Sequence, residues 1–251
     1  MLREETNPLP DRTIAEQIAA NYRQVQSQVH QACREAGRVP SDVKVIGVSK
    51  YVDAAMTQLL VDAGCSDLGE NRPQVLWQKA ESLRLPSEFR WHMIGHVQTN
   101  KLRRLLRFRP LIHSIDSERL LRAIDAEASQ QETIAEGLVE INVSGEDAKT
   151  GIDPDEARRL FETLNRDGDQ LHSVRIGGLM AMAGWKTTPE EAGKQFRMLA
   201  TLRDELEQTY SLALPELSMG MTSDFREAIA AGATMVRIGS ALFPPEIRKP
   251  H

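Results

Sequence analysis

The sequence predicts a single (β/α)8 barrel carrying one extra helix at its N-terminus, and three observations predict it. Eight short apolar runs recur along the 251 residues, each followed by a stretch with helical spacing. No linker or low-complexity segment separates them, and unbroken alternation of this kind builds a parallel sheet with helices outside it. Nearly every run ends on a small or polar residue, as the active face of a closed barrel requires. An open doubly wound sheet is the runner-up, but eight consecutive units favour closure.

Residues 1–10 are polar, end Asn7-Pro8-Leu9-Pro10, and read as a loose tail, leaving 11–251 as one domain. A helix starts at Asp11, with Asp11 or Thr13 as N-cap and Gly37 as its stop. Ile14, Ile18, Tyr22, Val25 and Val29 give it one apolar stripe. The first strand, residues 43–50, is rich in β-branched residues and stops on Lys50. Asp53 opens the helix that follows, and Gly64 closes it. Residues 67–70 form the second strand and lead through Asn71 into a helix with Val75, Leu76 and Trp77. The third strand, 91–95, precedes a helix over 99–106, and the fourth, 111–115, precedes a helix capped by Asp116 and Ser117. The fifth, 138–143, is followed by a helix near Asp153; the sixth, 176–182, by a long helix from Pro189 to about Tyr210. The seventh, 216–220, meets a helix opened by Asp224, and the eighth is 235–240. No proper helix follows the eighth strand, only Ala241-Leu242-Phe243 and then Pro244-Pro245, so the N-terminal helix is expected to fill part of that gap in the outer ring.

Net charge is −5, which gives no general attraction to nucleic acid or an anionic membrane. Cys33 and Cys65 have neither metal-ligand spacing nor a disulfide framework, and read as small core residues in a reducing compartment. There is no apolar signal segment after Met1 and no membrane-length apolar run, so a soluble cytoplasmic protein is expected. His92 and His96 are four apart, but on a strand and its exit loop they do not face together, and no acidic or cysteine ligand is expected near them. His96 could line a cavity at the strand ends. The basic run over 101–109 reads as a solvated helix face whose Leu102, Leu105 and Leu106 pack inward. Trp77, Trp91 and Trp185 read as packing residues.

The chemistry concentrates at the strand ends. In barrels, phosphate is frequently held by the loops after strands seven and eight. Here Gly220 and Gly239 allow close backbone approach, and Ser218, Thr222, Ser223 and Ser240 offer hydroxyls. Arg237 sits between Val236 and Ile238, where an unpaired charge is very costly; an ion pair with Glu140 or Glu70 is the structural alternative to a functional role. Strand eight neighbours strand one in a closed barrel, so Arg237 and Lys50 are expected to face one cavity. A lysine for a Schiff base, a phosphate cradle and an arginine together suit pyridoxal 5'-phosphate (PLP).

These residues bear a resemblance. Gly47-Val48-Ser49-Lys50, Gly69-Glu70-Asn71, Trp91-His92-Met93-Ile94-Gly95-His96-Val97-Gln98-Thr99-Asn100-Lys101, Leu217-Ser218-Met219-Gly220-Met221 and Val236-Arg237-Ile238-Gly239-Ser240 are similar, in order, to the YggS/PROSC family of PLP-binding proteins. That family shares the barrel of the alanine racemase N-terminal domain. The resemblance implies that Lys50 carries the cofactor as a Schiff base, that Asn71 lies beside its ring and that Arg237 approaches the pyridine nitrogen. The chain departs from the family in its longer tail and in Pro244-Pro245, where a glycine usually follows the position of Phe243. The family is associated with vitamin B6 and amino-acid homeostasis without established catalysis, so a monomeric PLP holder, not an enzyme, is expected. Its partners would be PLP and amino acids or apo PLP-dependent enzymes. Since no second domain follows the barrel, the base that alanine racemase draws from one is expected to be missing. The alternative is a single-domain amino-acid racemase using Tyr51 or His96 as the second base; a cofactor-free Schiff-base aldolase fits Arg237 less well.

Overall fold

Eight parallel strands close on themselves in sequence order, β1 to β8, in a computed structural model describing residues 12–146, 150–166 and 171–248. The expected tail lies outside the described residues. The strands are β1 Lys44–Val48, β2 Asp67–Glu70, β3 Arg90–Met93, β4 Leu111–Ile115, β5 Ala135–Glu140, β6 Val174–Met180, β7 Glu216–Met221 and β8 Met235–Ile238. The helices are α1 Arg12–Glu35, α2 Ala54–Asp62, α3 Pro73–Ser82, α4 Leu102–Leu105, α5 Glu118–Gln130, α6 Pro154–Arg166, α7 Pro189–Tyr210 and α8 Phe225–Ala230. The expected closed barrel is what forms.

Strand alternation divides the apolar side chains into two layers. One large cluster, including Leu68, Leu217 and Val236, packs the outside of the sheet against the helices. A small one, Ile46, Leu111, Leu138, Met180 and Met235, fills part of the interior. Positions on the same inward parity also include His92, His113, Ser218 and Arg237, all buried. The interior is therefore half polar, which governs the site above it.

Helix α1 covers the side left open after β8. It packs between α2 and α8, with Ile18, Tyr22, Val25 and Val29 buried. Ile18, Val25 and Val29 each contribute roughly 1.5–3 kcal/mol by leaving water. Asn21 Nδ2 donates to the Leu242 carbonyl at 3.2 Å, and Arg38 Nη1 to the Ala233 and Ile229 carbonyls at 2.6 and 3.0 Å. Gly37 stops the helix at φ 67°.

Several boundaries differ from expectation. The fifth strand begins at Ala135, since Glu136 and Gly137 interrupt the apolar run yet pair with Arg175 and Ile176, with a register shift after Gly137. Glu136 is at the N-terminal rim and pairs with Arg90; Gly137 lies where a Cβ would strike Ile115 Cδ1 at 2.3 Å. The region after β3 is a four-residue helix flanked by 3-10 turns, and Leu102, Leu105 and Leu106 are buried as expected. Cys33 and Cys65 are free and buried, as are Trp77 and Trp91. Trp185 is not a packing residue: it is 79% exposed.

Candidate functional site

Lys50 stands two residues past the end of β1, in a turn, rather than closing the strand. The reason lies next to it. Ser49 faces the helix layer, where its hydroxyl donates to Glu70 Oε1 at 2.7 Å. Lys79 of α3 donates to the Ser49 carbonyl at 2.8 Å, the Ser49 hydroxyl at 3.2 Å and Glu70 Oε1 at 2.6 Å. All three residues are buried. Lys50 follows Ser49 in the turn beyond the strand, on a cavity that α2 and α3 also line rather than on one lined by Arg237. The Lys50 ammonium lies 4.8 Å from the centroid of the Tyr51 ring. It borders a cavity of about 430 Å³ shared with Asp53, Asn71, Arg72 and Gln78. Asn71 is held there by close packing: a Cβ on Gly95 would lie 2.3 Å from the Asn71 carbonyl oxygen.

Arg237 pairs in register with Ile46 of β1, below Lys50. It is 4% exposed and forms no ion pair with Glu140 or Glu70 among the described residues. Instead Nη1 donates to the Ser218 carbonyl at 2.8 Å and hydroxyl at 2.6 Å, and Nη2 to the Ala181 carbonyl at 2.9 Å. Three of five guanidinium N–H groups are thus taken, and two have no protein acceptor among the described residues. Burial lowers its pKa to about 10, opposed by the charges of Asp224 and Glu140, so it stays protonated at neutral pH. Ser218 departs from expectation. Its hydroxyl is buried against Arg237 and His113, so it holds the arginine and is not at hand for a phosphate.

The remaining cradle residues do meet. Ser240 and Thr222 are linked hydroxyl to hydroxyl at 3.3 Å, joining the loops after β7 and β8. Gly239 runs against β1, where a Cβ would meet the Val48 carbonyl oxygen at 3.3 Å. Gly220 takes φ 89°, with the Ala228 methyl 2.5 Å from the Cβ it lacks. Asp224 accepts from the Met221 amide at 2.5 Å instead of capping α8 with its side chain. Beside this loop a mostly apolar cavity of about 620 Å³ is lined by Met182, Trp185, Thr187, Met221 and Ser223. Exposed hydroxyls, a two-glycine backbone and a buried arginine with unused donors fit an aromatic phosphate ligand.

Of the two histidines, His96 lies at the mouth, with Nδ1 2.9 Å from Asp116 Oδ2, whereas His92 is buried in the interior. The expectation that no acidic group stands near them is wrong, since Asp67 lies 3.0 Å from His92 and Asp116 pairs with His96. Asp116 is thereby drawn from the expected capping role, which Ser117 fills alone. No group of three metal-ligating side chains occurs among the described residues. Glu140 faces the same mouth; burial raises its pKa, partly offset by Thr150, whose hydroxyl donates to it at 2.5 Å. Sequence reasoning gave no role to Lys79 or His113. A lysine three residues after Leu76, on the helix face that packs inward, was the available signal for the first.

Residues 15–245 match the family described as "Alanine racemase, N-terminal domain". The chain is 40% identical over 220 residues to a "Pyridoxal phosphate homeostasis protein" of Aquifex aeolicus, covering 87% of this chain and 94% of the relative. It is 38% identical over 227 residues to a protein of the same description from Pseudomonas aeruginosa, covering 90% and 94%. Among solved structures, PipY of Synechococcus elongatus with PLP bound superposes with a TM-score of 0.79 at 34% identity, covering 91% of this chain and all of that one. An alanine racemase from Clostridium difficile superposes at 0.69 with 15% identity over 93% of this chain and 60% of that one, a likeness of fold. No helix among the described residues is long and apolar enough to cross a membrane.

Proposed function

The chain belongs to the alanine racemase N-terminal-domain family, and we propose that it binds PLP and acts in PLP and amino-acid homeostasis. When bound, PLP supplies an aldehyde that forms a Schiff base with an amine, and a ring that draws electrons from it. The chain's own residues do the rest. Lys50 provides the amine, beside the Ser49–Lys79 anchor. Thr222, Gly239 and Ser240 would take the phosphate, Asn71 would contact the ring, and Arg237 would donate to the ring nitrogen.

The single observation that carries the reading is Arg237. A buried guanidinium only donates, so a ring nitrogen facing it stays unprotonated and the ring is a weak electron sink. Such a site suits holding and exchanging the cofactor more than turning over amino acids. Two free, buried cysteines support a reducing, cytoplasmic setting. Its partners in this reading are amino acids or apo PLP-dependent enzymes, and it works as a monomer. A racemase reading has one supporting observation, the His96–Asp116 pair at the mouth.

Borohydride reduction in the presence of PLP followed by peptide mapping tests the assignment. The expected result is one adduct on Lys50, absent in Lys50→Ala; full labelling of the variant overturns it. Assays against L- and D-amino acids should show no sustained racemisation, and turnover near roughly 1 s⁻¹, within the ordinary enzyme range, would favour the racemase.

A further inference from the structure

Five side chains form one hydrogen-bonded chain through the barrel interior, from the N-terminal rim to the guanidinium under the site. Asp67 Oδ1 lies 3.0 Å from His92 Nε2. His92 Nδ1 lies 2.9 Å from His113 Nε2. His113 Nδ1 lies 2.8 Å from the Ser218 hydroxyl, across the barrel from β4 to β7. Ser218 in turn receives Arg237 Nη1 at 2.6 Å. His92, His113 and Ser218 are completely buried, and Asp67 is half-buried at the first residue of β2.

The two ends fix the direction of every proton between them. An arginine has no acceptor, so Ser218 must accept from it. The hydroxyl's single hydrogen then goes to His113 Nδ1, since no other acceptor for it exists among the described residues. At the far end, an ionised Asp67 only accepts, so His92 donates from Nε2. Burial alone would raise the Asp67 carboxyl, but hydrogen bonds from His92 and Ser66 hold it below the ordinary range. A neutral His92 then presents Nδ1 as acceptor, so His113 donates from Nε2 and accepts at Nδ1. Both ends demand the same arrangement, with both imidazoles neutral and protonated on Nε2. All donors point from the arginine toward the aspartate, and bonds polarised in one direction in a dry interior reinforce one another.

We propose that Asp67, His92 and His113 are positioning residues that, through Ser218, hold Arg237 in the orientation in which its two unused N–H groups serve the ligand. The link to the ring nitrogen rests on the PLP reading above; the chain itself does not. None of the three touches the ligand. They act by leaving Ser218 one way to orient its hydroxyl and Arg237 one partner for Nη1.

Long-range ¹H–¹⁵N NMR of the full chain with ¹⁵N-labelled histidine, at pH 7 and without PLP, tests the chain directly. Both histidines should carry hydrogen on Nε2 with Nδ1 bare, assigned by loss of the signals in His92→Gln and His113→Gln. Hydrogen on Nδ1 of either ring, or an imidazolium, overturns the proposal. Either end alone sets this order, so Ser218→Ala and Asp67→Ala should each keep both rings protonated on Nε2, whereas Nδ1–H should appear in the double variant Asp67→Ala/Ser218→Ala. With ¹⁵N-PLP bound, Ser218→Ala should shift the ring-nitrogen resonance toward the pyridinium value and weaken binding roughly tenfold, one hydrogen bond to a charged group. Ser218→Thr should restore both. A purely structural role lowers thermal stability but leaves the ring-nitrogen resonance in place, which overturns positioning. If wild type forms no adduct at Lys50, the PLP reading fails, while the tautomers still decide the chain.

Discussion

Lys79 illustrates how one charged residue can hold a functional loop without touching a ligand. The residue is 3% exposed, and its ammonium bridges the Ser49 carbonyl to Glu70, whose second oxygen, Oε2, has no partner among the described residues. A buried pair of this kind costs a great deal to break from one side, because the other charge is left in a dry site. Lys79→Met should therefore lower stability by about 3–5 kcal/mol in urea denaturation, and Lys79→Met combined with Glu70→Met should recover most of that loss. An exposed, dispensable lysine would give neither effect. Lys50 and Arg237 were legible in the sequence because each is an anomaly in an apolar strand pattern. Lys79 was not, since a lysine in a helix ordinarily sits in water. The strand parity that sends Ser49 and Glu70 outward to meet it becomes visible only once the register is fixed.

Among the elements, the β3–α4 connection depends on a close backbone approach. Gly95 lies where a Cβ would meet the Asn71 carbonyl oxygen at 2.3 Å and its Cα at 2.8 Å, and backbone atoms cannot step aside cheaply. Gly95→Ala should push the Asn71 loop away, at a cost of about 1–3 kcal/mol in stability. Because Asn71 borders the Lys50 cavity, PLP affinity measured by absorbance titration should fall as well. Gly177→Ala is the control: its Cβ meets only Leu138 Cδ2, at 3.9 Å, so stability and affinity should hold. Equal behaviour of the two variants would show that the Asn71 contact has no consequence. At this scale the sequence revealed every strand and its order but misplaced several ends. Apolar runs mark where a strand is buried on both faces, whereas its ladder continues through Glu136 and Gly137, which carry no apolar signal.

For the molecule as a whole, the closed barrel was legible from eight repeated units, but its half-polar interior was not. In the sequence His92 is weighed only beside His96 and His113 is given no role, since their partners Asp67 and Ser218 lie 25 and 105 residues away. That interior makes the fold sensitive to acid. Burial lowers the pKa of His92 below 6.5, with Asp67 opposing and Arg90 and Lys44 assisting. His113 is lowered well below 6.5 by burial and by His92, Arg237 and Arg90. As pH falls through about 6.5, the unfolded chain takes up two protons that the native barrel refuses. Stability present above that pH is then lost with a slope of up to about 2.7 kcal/mol per pH unit. Glu140 works in the opposite sense, because burial raises its pKa above 4.5 and the native state gains its proton first. The steepest loss should therefore fall between about pH 6.5 and 5, ahead of the carboxylate range. Urea midpoints taken across that interval should decline steeply in the wild type and about half as steeply in His113→Gln, whatever the variant's stability at pH 7.5. A wild-type midpoint that stays level down to pH 5 would mean that the two imidazoles take up protons in the native state, and the polar chain through the barrel would not be neutral.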